Sequence, residues 1–384
     1  MTGRNPADAS TGNLLSRGAV IATATMFGLT YSLSAALIAL DLAKLNMDEA
    51  LIGVNAAMHA LGVLVMAFLL PRIVARVGIR RLVILALILS AATLALFPIT
   101  PVWLWFPLRI LLGAASEVMF VLSETWTNSL STEATRARAM AAYTAALSVG
   151  FAAGPLILSS VGTTGATPFL IGSVVALTAA LFVASPRVTA PAFDHPAKET
   201  PLHFMRLAPV AIGAITLNAA IETAGLSFLA LYAVSLGWNE VGATRLMSCM
   251  MVGAILLQLP IGWLGDRMDR MRLVSGLALA AGLGALVWPL ALTSAIATYA
   301  LLFVWGGAFV GVYTIMLAVV GSRFQGTDLI GIYAAMGLMW GVGALIGPVL
   351  AGLAMDRTPH GLAFFAATAC FAFATSSLTS RKTA

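Results

Sequence analysis

The sequence predicts an all-α membrane protein whose twelve transmembrane helices form two pseudo-symmetric six-helix bundles. Of its 384 residues, 60% are hydrophobic and only 9% are charged, whereas soluble domains carry about 25% charged residues. The charges cluster in short islands between apolar runs of the ~20 residues that one helix needs to cross a bilayer. Motifs of the first half also recur in the second. A β-barrel is excluded, because it would show segments of about ten residues with alternating hydrophobicity.

The apolar runs define twelve predicted spans, and charged pairs, prolines and glycines mark the turns between them. The first run is too long for the hydrophobic region of a signal peptide and lacks a convincing cleavage site, so we expect it to be retained as a span. The predicted spans are residues 17–43, 49–70, 79–98, 102–126, 136–160, 163–185, 207–236, 239–263, 271–292, 295–321, 328–354 and 360–379.

Lysines and arginines are distributed unevenly between the two sides of the predicted bundle. With the N-terminus inside, 17 of the 21 fall on the cytoplasmic side, and only Lys44 and Arg357 fall outside; Arg109 and Arg245 lie within spans. This bias is typical of cytoplasmic loops and predicts that both termini are cytoplasmic. It also explains the formal charge of +6 as a topology signal, so we expect no nucleic-acid partner.

The segment SPRVTAPAFDHPAKETPLHFMR, residues 185–206, interrupts the series of apolar runs. Its four prolines and mixed charge exclude a span and favour a cytoplasmic linker. The predicted organisation is therefore an N-terminal bundle at 1–185, a linker at 186–206 and a C-terminal bundle at 207–384.

Two different motifs recur at nearly the same offset in the two halves. The basic loops PRIVARVGIRR, 71–81, and GWLGDRMDRMR, 262–272, place Arg76 and Arg267 191 positions apart. A Gly-x-x-x-Gly-Pro motif begins at Gly150 in the fifth span and again at Gly343 in the eleventh, 193 positions later. The chain is therefore an internal duplication, and paired halves are typical of transporters that bind substrate near the midplane.

These features resemble the major facilitator superfamily over essentially the whole chain. Gly262-x-x-x-Asp266-Arg267 resembles the family's loop between the second and third helices of a half, and Arg109-x-x-x-Gly113 resembles its fourth-helix motif. The motif starting at Gly150 resembles the fifth-helix motif associated with antiporters. The segments Glu124-Thr-Trp126 and Ile221-Glu222-Thr223 and the eleventh span resemble a little-characterised bacterial branch of the family. In the first half, Ala75 and Pro71 replace the acidic residue and the leading glycine of the loop, so a contact that locks the cytoplasmic side is expected to be missing there.

Glu222 is predicted near the middle of the seventh span, with Asn218 one turn earlier on the same face. The resemblance implies that helices one, four, seven and ten line a central cavity. A carboxyl removed from water favours its protonated form, which suits a proton carrier, so we predict a proton-coupling role for Glu222 and a substrate contact for Asn218. The alternative is a buried glutamate that is hydrogen-bonded for helix packing.

The fourth span carries three ionisable residues at different depths. Glu117 lies well inside and is a second candidate proton site, or a packed structural acid. Arg109 lies toward the outside, and eight residues of helix place it about 12 Å from Glu117 along the axis, so it needs another partner; the resemblance implies a role in proton coupling. Glu124 lies at the cytoplasmic rim and is predicted to form a structural gate with Arg76 or Arg80.

Several other residues are weaker candidates. His59 is a possible proton relay, because histidine titrates near neutrality, or a packed histidine with Asn55 one turn earlier. Arg245 either contacts a substrate anion or the outer gate, or it extends its side chain to the membrane interface. Aromatic residues that either form a cavity wall or pack against helices and lipid are Phe27, Tyr31, Trp305, Tyr313 and Trp340, and Asn55 is grouped with them as a substrate contact.

The small residues of the repeated motif have a mechanical interpretation. Small-xxx-small pairs permit close helix contact, and a following proline removes a backbone donor. The resemblance implies that helices five and eight, and two and eleven, meet across the halves, where such a seam would let the halves rock. The alternative is ordinary membrane-helix packing. The residues concerned are Gly150, Gly154, Pro155, Gly343, Gly347 and Pro348.

These predictions together favour a secondary active transporter of a small organic solute in the bacterial inner membrane, working by proton-coupled export. The alternatives are a proton symporter that imports an organic anion, with Arg109 as counter-charge, and a transport-inactive receptor or scaffold. The chain has no phosphate-binding glycine loop and no metal-ligand cluster, so we expect neither an enzyme nor a cofactor. The expected partners are the solute, protons and the lipid bilayer, and the expected state is a monomer.

Overall fold

The computed structural model describes residues 6–131, 133–190, 205–291, 294–324 and 326–380. These residues form helices joined by short turns, without a β-strand in the described ranges. Two 3-10 turns, Phe97–Ile99 and Val102–Leu104, precede the fourth helix. The helices are α1 Pro6–Lys44, α2 Glu49–Val77, α3 Ile79–Leu96, α4 Trp105–Ser129, α5 Glu133–Val161, α6 Thr167–Val183, α7 Pro209–Ser235, α8 Glu240–Leu256, α9 Gln258–Arg267, α10 Arg270–Ala291, α11 Ala295–Arg323, α12 Gly326–Arg357 and α13 Gly361–Ser380.

The helix lengths confirm the predicted all-α membrane fold. Within the described ranges, eleven helical segments are long and apolar enough to cross a membrane, with α8 and α9 forming one of them, 240–267. The shorter apolar helix α6 corresponds to the sixth predicted span. Each of the twelve predicted spans is therefore matched by a helix, and large apolar side chains such as Leu181, Leu259 and Ile296 are exposed on the outside, as lipid-facing residues must be.

Hydrogen bonding and backbone conformation at individual residues explain where α8 begins and where it ends. At the start of α8, Asn239 Oδ1 accepts a hydrogen bond from the backbone N–H of Gly242 at 2.6 Å, which is an N-cap. The preceding Gly237 has a φ of 94°, a conformation that favours glycine. The break between α8 and α9 precedes Pro260, which cannot donate to the carbonyl four residues earlier and clashes with it.

The first compact unit comprises residues 1–34 and 61–197. In it, α3 packs against α4 and α6, and Ser173 Oγ on α6 donates to the carbonyl of Ala91 at 2.8 Å. The N-terminal part of α1 packs closely against α5 through glycines described below. The rings of Phe97, just after α3, and Phe169, at the start of α6, stack with 5.7 Å between their centroids.

The second compact unit comprises residues 35–60 and 198–384, so the end of α1 and the start of α2 pack with the C-terminal helices. Its helix pairs are α7 with α12, α10 with α11 and α13, and α8 with α11. The predicted linker falls largely on residues 191–204, outside the described ranges. The proposed division at 186–206 therefore stays a prediction.

Charged groups tie the beginning of α2 and the end of α1 into this second unit. Lys44 Nζ at the end of α1 lies 2.9 Å from Glu240 Oε2 and 3.5 Å from Asp41 Oδ1. The carboxylate of Asp356, near the end of α12, accepts a hydrogen bond from the backbone N–H of Ala50 at 3.2 Å. These contacts satisfy charges at helix ends, where the sequence predicts the membrane boundary.

Candidate functional site

A cavity of about 200 Å³ lies inside the second unit, between α7, α8, α10, α11 and α13. Most of its lining is apolar, but α7 supplies Asn218 and Glu222. Aromatic side chains from three other helices complete it: Trp288, Trp305, Phe309, Tyr313 and Phe365. The cavity thus combines one carboxyl group and one amide with an aromatic wall.

Glu222 and Asn218 form a pair on one face of α7, as their spacing predicts. The Nδ2 of Asn218 donates to Glu222 Oε2 at 3.0 Å. Glu222 is half-buried, whereas Asn218 is buried, and its Oδ1 accepts no hydrogen bond from any described residue. The pair therefore places beside the cavity a carboxyl group that is held by a neutral donor.

The aromatic wall is built around Trp305. Its ring stacks on Phe309 at 5.0 Å between centroids and meets Trp288 edge-on at 4.7 Å. Trp305 Nε1 donates to the carbonyl of Ala281 at 2.8 Å, which fixes the ring. Trp288 is also buried, at 3% exposure, but its Nε1 meets no acceptor among the described residues.

Trp288, Phe309 and Phe365 are aromatic cavity residues that sequence reasoning missed. Trp288 belongs to the ninth span, outside the four helices that the resemblance places around a cavity. The apolar sequence of α10 does not show which of its faces points inward. Trp263 on α9 is exposed whereas Trp288 on α10 is buried, and the sequence alone does not distinguish these two tryptophans. The inward orientation of Trp288 becomes visible only in the structure.

Arg109 lies on α4 in the first unit and is buried, at 1% exposure. Its Nη1 donates to Ser34 Oγ on α1 at 3.3 Å, and its Nε meets no acceptor among the described residues. Ser34 in turn donates to the carbonyl of Tyr31 at 3.2 Å. The partner that the sequence required for Arg109 is therefore a neutral hydroxyl group in this structure.

Glu117, two turns further along α4, is half-buried. Among the ion pairs of the described residues none joins it to Arg109, as the axial separation predicts. Tyr31, the aromatic candidate on α1, packs edge-on against Phe151 of α5 at 5.9 Å and lies 6.2 Å from Phe27. The first unit thus keeps its two ionisable candidates apart and places Tyr31 in an aromatic cluster.

At the predicted cytoplasmic gate, Arg80 is engaged differently from the expectation. Its Nε donates to the carbonyl of Val183 at 3.1 Å, and its Nη2 donates to two carbonyls just after α6. Glu124 is half-buried on α4 and Arg76 is exposed at the end of α2. Arg80 therefore secures the end of α6, and a gate role for Glu124 and Arg76 stays a prediction.

His59 and Asn55 are both buried on α2, at 2% and 1% exposure. Ala60, which follows His59 in α2, belongs to a small cluster of alanines with Ala219 and Ala344, against which Trp340 packs. Trp340 does not belong to the lining of the cavity around Glu222. Of the predicted aromatic wall, the structure therefore places Trp305 and Tyr313 at that cavity, and Trp340 and Tyr31 elsewhere.

The repeated glycine motif makes close contacts between helices of the same half. A Cβ at Gly150 would collide with the carbonyl oxygen of Thr25 on α1, and one at Gly343 with that of Thr216 on α7. Gly154 and Gly347 face the same two helices, at Ser32 and Ala220. The glycines therefore bring α5 against α1 and α12 against α7, and their role in a seam between the halves stays a prediction.

The prolines that follow these glycines lie inside α5 and α12. The carbonyl of Pro348 approaches Gly53 of α2 so closely that a Cβ there would collide with it. The helices α2 and α12, which correspond to the second and eleventh predicted spans, are therefore in contact at Pro348. Pro155 occupies the equivalent position in α5.

The basic loop of the second half is held together mainly by Arg270. Asp266 Oδ1 lies 3.5 Å from Arg270 Nη2, and Arg270 also donates to the carbonyls of Gly265 and Ala318. Arg267 instead lies over the ring of Trp263, 3.8 Å from its centroid. Arg270 therefore links the turn between α9 and α10 to α11, a role that the sequence motif alone did not single out.

Comparison with known proteins gives the chain its relatives. The sequence pattern of the Major Facilitator Superfamily matches residues 19–348. The uncharacterised MFS-type transporter YfkF of Bacillus subtilis is 25% identical over 340 residues, covering 83% of each chain. The uncharacterised MFS-type transporter YcaD of Escherichia coli O7:K1 is 26% identical over 333 residues, covering 85% of this chain and 86% of the relative.

Two solved structures share the fold. The nucleoside transporter NupG superposes with a TM-score of 0.74 at 16% identity, covering 96% of both chains. A D-xylose-proton symporter superposes with a TM-score of 0.75 at 13% identity, covering 95% of this chain and 96% of that one. At such identities the likeness concerns the fold alone.

Proposed function

Because the chain belongs to the Major Facilitator Superfamily, and is therefore a multi-pass membrane transporter rather than an enzyme, we propose that it exports a small organic solute across the bacterial inner membrane in exchange for protons. Transport would proceed by alternating access. A bound ligand shifts such an equilibrium only by binding the two states differently. A carboxyl group that gains or loses a proton in each state supplies that difference.

The observation that carries this proposal is the position of Glu222. Its carboxyl group lies beside the cavity, is half-buried and is held by a neutral amide rather than a cation. A charge inside a bilayer costs at least ~2.5–3.5 kcal/mol, so a carboxyl group without a cationic partner favours protonation. Glu117, half-buried and without an ion pair among the described residues, is the second proposed proton site.

The test uses the full-length protein reconstituted in liposomes with an imposed pH gradient. Proton movement is recorded while a panel of organic solutes is added on one side. For the wild type we expect proton entry coupled to solute exit. Glu222→Gln should reduce coupled flux to the level of protein-free liposomes, and Glu222→Asp, which keeps a carboxyl group, should retain part of it. Wild-type coupling in both Glu222→Gln and Glu117→Gln would contradict the assignment.

A proton symporter that imports a small organic anion is the second candidate, because Arg109 is a buried cation that donates to a hydroxyl group and forms no ion pair with any described residue. One structure of the same fold is that of a proton symporter. The same liposomes separate the two functions by the direction of coupling. Proton and solute entering together, with loss of anion uptake in Arg109→Gln, would favour import over export.

A further inference from the structure

We propose that the pocket around Arg245, near the beginning of α8, binds an anionic phospholipid, with the lipid phosphate on Arg245 and an acyl chain along the exposed apolar face of α8. This site is separate from the cavity beside Glu222. The inference goes beyond the proposed transport function and does not depend on it. Its occupant is a lipid of the leaflet that surrounds the predicted outer end of the bundle.

The pocket is open and lies in the second unit, where α7 ends and α8 begins. Its volume is about 540 Å³, within the range of about 300–1,000 Å³ that is typical of ligand pockets. The turn 236–239, the beginning of α8 and Ala295 at the start of α11 line it. Of the described residues in this lining, Arg245 is the charged one, so the pocket suits an anionic group.

Arg245 is an exposed cation at the depth where lipid headgroups meet hydrocarbon. It lies about 7.5 Å along the helix axis from the first residue of α8, and the headgroup layer on each side of a bilayer is about 5–8 Å thick. Its guanidinium forms no ion pair with a side chain in the described ranges. A phosphate group can accept two parallel hydrogen bonds from a guanidinium, and lipids supply phosphate at this depth.

The charges next to the pocket favour a lipid with a net negative charge. A zwitterionic lipid such as phosphatidylcholine brings an ammonium group together with its phosphate. The neighbouring acid, Glu240, already binds Lys44, with 2.9 Å between Oε2 and Nζ. Phosphatidylglycerol ends in an uncharged glycerol and needs no acid, so it should bind more tightly than phosphatidylcholine.

Two aromatic side chains support the same depth for the pocket. Trp238 lines the pocket and meets Tyr299 of α11 edge-on, with 6.2 Å between the ring centroids. Both residues are half-buried, and Trp and Tyr are enriched at the level of the headgroups. The aromatic pair therefore places the pocket at the headgroup layer independently of the position of Arg245 along α8.

The face of α8 that continues from Arg245 can accommodate an acyl chain. Val252 and Leu256 follow Arg245 after seven and eleven residues and therefore share its helix face. Both are exposed, at 39% and 55%. From Arg245 to Leu256 the helix rises about 16 Å, which is close to half of the ~30 Å hydrocarbon core. A lipid with its phosphate on Arg245 would thus have an apolar surface along the depth of one leaflet.

The test titrates lipids into the purified, delipidated full-length protein in detergent and counts bound molecules by native mass spectrometry. The probes are phosphatidylglycerol, phosphatidylcholine with the same acyl chains, and glycerol phosphate, which has no chains. We expect one phosphatidylglycerol to bind at least about tenfold more tightly than phosphatidylcholine, and glycerol phosphate not to compete with it. Equal binding of the two lipids, or none of phosphatidylglycerol, would overturn the proposal. Competition by glycerol phosphate would identify a site for soluble anions and overturn it as well.

Arginine variants locate the phosphate. Arg245→Gln should weaken phosphatidylglycerol about tenfold and remove the preference over phosphatidylcholine. Arg357→Gln is the matched control, because Arg357 is an exposed arginine at the end of α12 on the same predicted side and lies outside the pocket. It should bind lipid as the wild type does. Equal loss in both variants, or no loss in Arg245→Gln, would contradict a site at Arg245.

A second pair of variants keeps the test decisive if Arg245→Gln does not fold. Ala295→Phe adds a ring to the lining of the pocket, whereas Ala297→Phe adds the same ring to an exposed residue of α11 outside the lining. Because both alanines are exposed, we expect both variants to fold. The first should lower phosphatidylglycerol affinity at least about tenfold, and the second should leave it unchanged. Wild-type affinity in Ala295→Phe would show that the lipid does not occupy this pocket.

Discussion

At the residue scale, two ionisable side chains inside the spans, Arg109 and Glu222, are held by neutral hydrogen-bond partners. Arg109 donates to the hydroxyl group of Ser34, and Glu222 accepts from the amide of Asn218. Among the described residues neither takes part in an ion pair. A neutral partner offsets part of the desolvation cost without cancelling the charge, which is compatible with the proposed proton site at Glu222 and the proposed anion contact at Arg109.

The hydrogen bond from Ser34 to Arg109 makes a stability prediction. Ser34→Ala should destabilise the protein by about 1–3 kcal/mol, because a buried charged donor loses its partner. Ser160→Ala serves as the control, since Ser160 is exposed and bonds only to the carbonyl of Leu156 in its own helix. Thermal unfolding in detergent measures both. A melting temperature for Ser34→Ala that matches the control would show that the Arg109 contact contributes nothing.

At the element scale, glycines decide which helices approach closely. In an apolar bilayer the hydrophobic effect does not drive helices together, so association depends on packing and on small residues that let backbones meet. Gly150 and Gly154 serve this purpose between α5 and α1, and Gly343 and Gly347 between α12 and α7. The same motif in the two halves thus builds the same helix pair twice, which is the structural counterpart of the sequence duplication.

These contacts predict the effect of adding single methyl groups. Gly150→Ala and Gly347→Ala should each destabilise the protein by about 1–3 kcal/mol, because the new Cβ would overlap backbone atoms of the facing helix. Gly276→Ala, in open surroundings, should instead gain up to about 1 kcal/mol of helix propensity. Melting temperatures in detergent rank the three variants. Equal destabilisation at all three sites would contradict the packing explanation.

At the scale of the whole molecule, the distribution of basic residues predicts the orientation in the membrane. Ala75, near the end of α2, and Thr164, between α5 and α6, are both exposed and are predicted on opposite sides. In a background with Cys249→Ala and Cys370→Ala, a membrane-impermeant maleimide applied to intact cells should label Thr164→Cys. Ala75→Cys should react only after permeabilisation. The reverse pattern would overturn the proposed cytoplasmic position of both termini.

Much of the fold was accessible from the sequence because hydropathy and charge are properties of short segments. Every predicted span has a helix, and the turns at Gly162 and Trp238 lie where expected. The Asn218–Glu222 contact followed from spacing alone, since residues four apart share a helix face. Arg80, by contrast, donates to the carbonyls after α6, because an arginine at a helix end bonds whichever acceptor the neighbouring helix brings near.

The sequence by itself determined the membrane class, a helix for each predicted span and the duplication. Only the tertiary structure decided which side chains share a space: Trp288 with Glu222 and Trp305, Trp340 with the alanine cluster, and the glycine motifs with α1 and α7. The physical reason is that these helices are apolar on all sides, so their rotation is set by close packing against neighbours distant in sequence rather than by any local pattern.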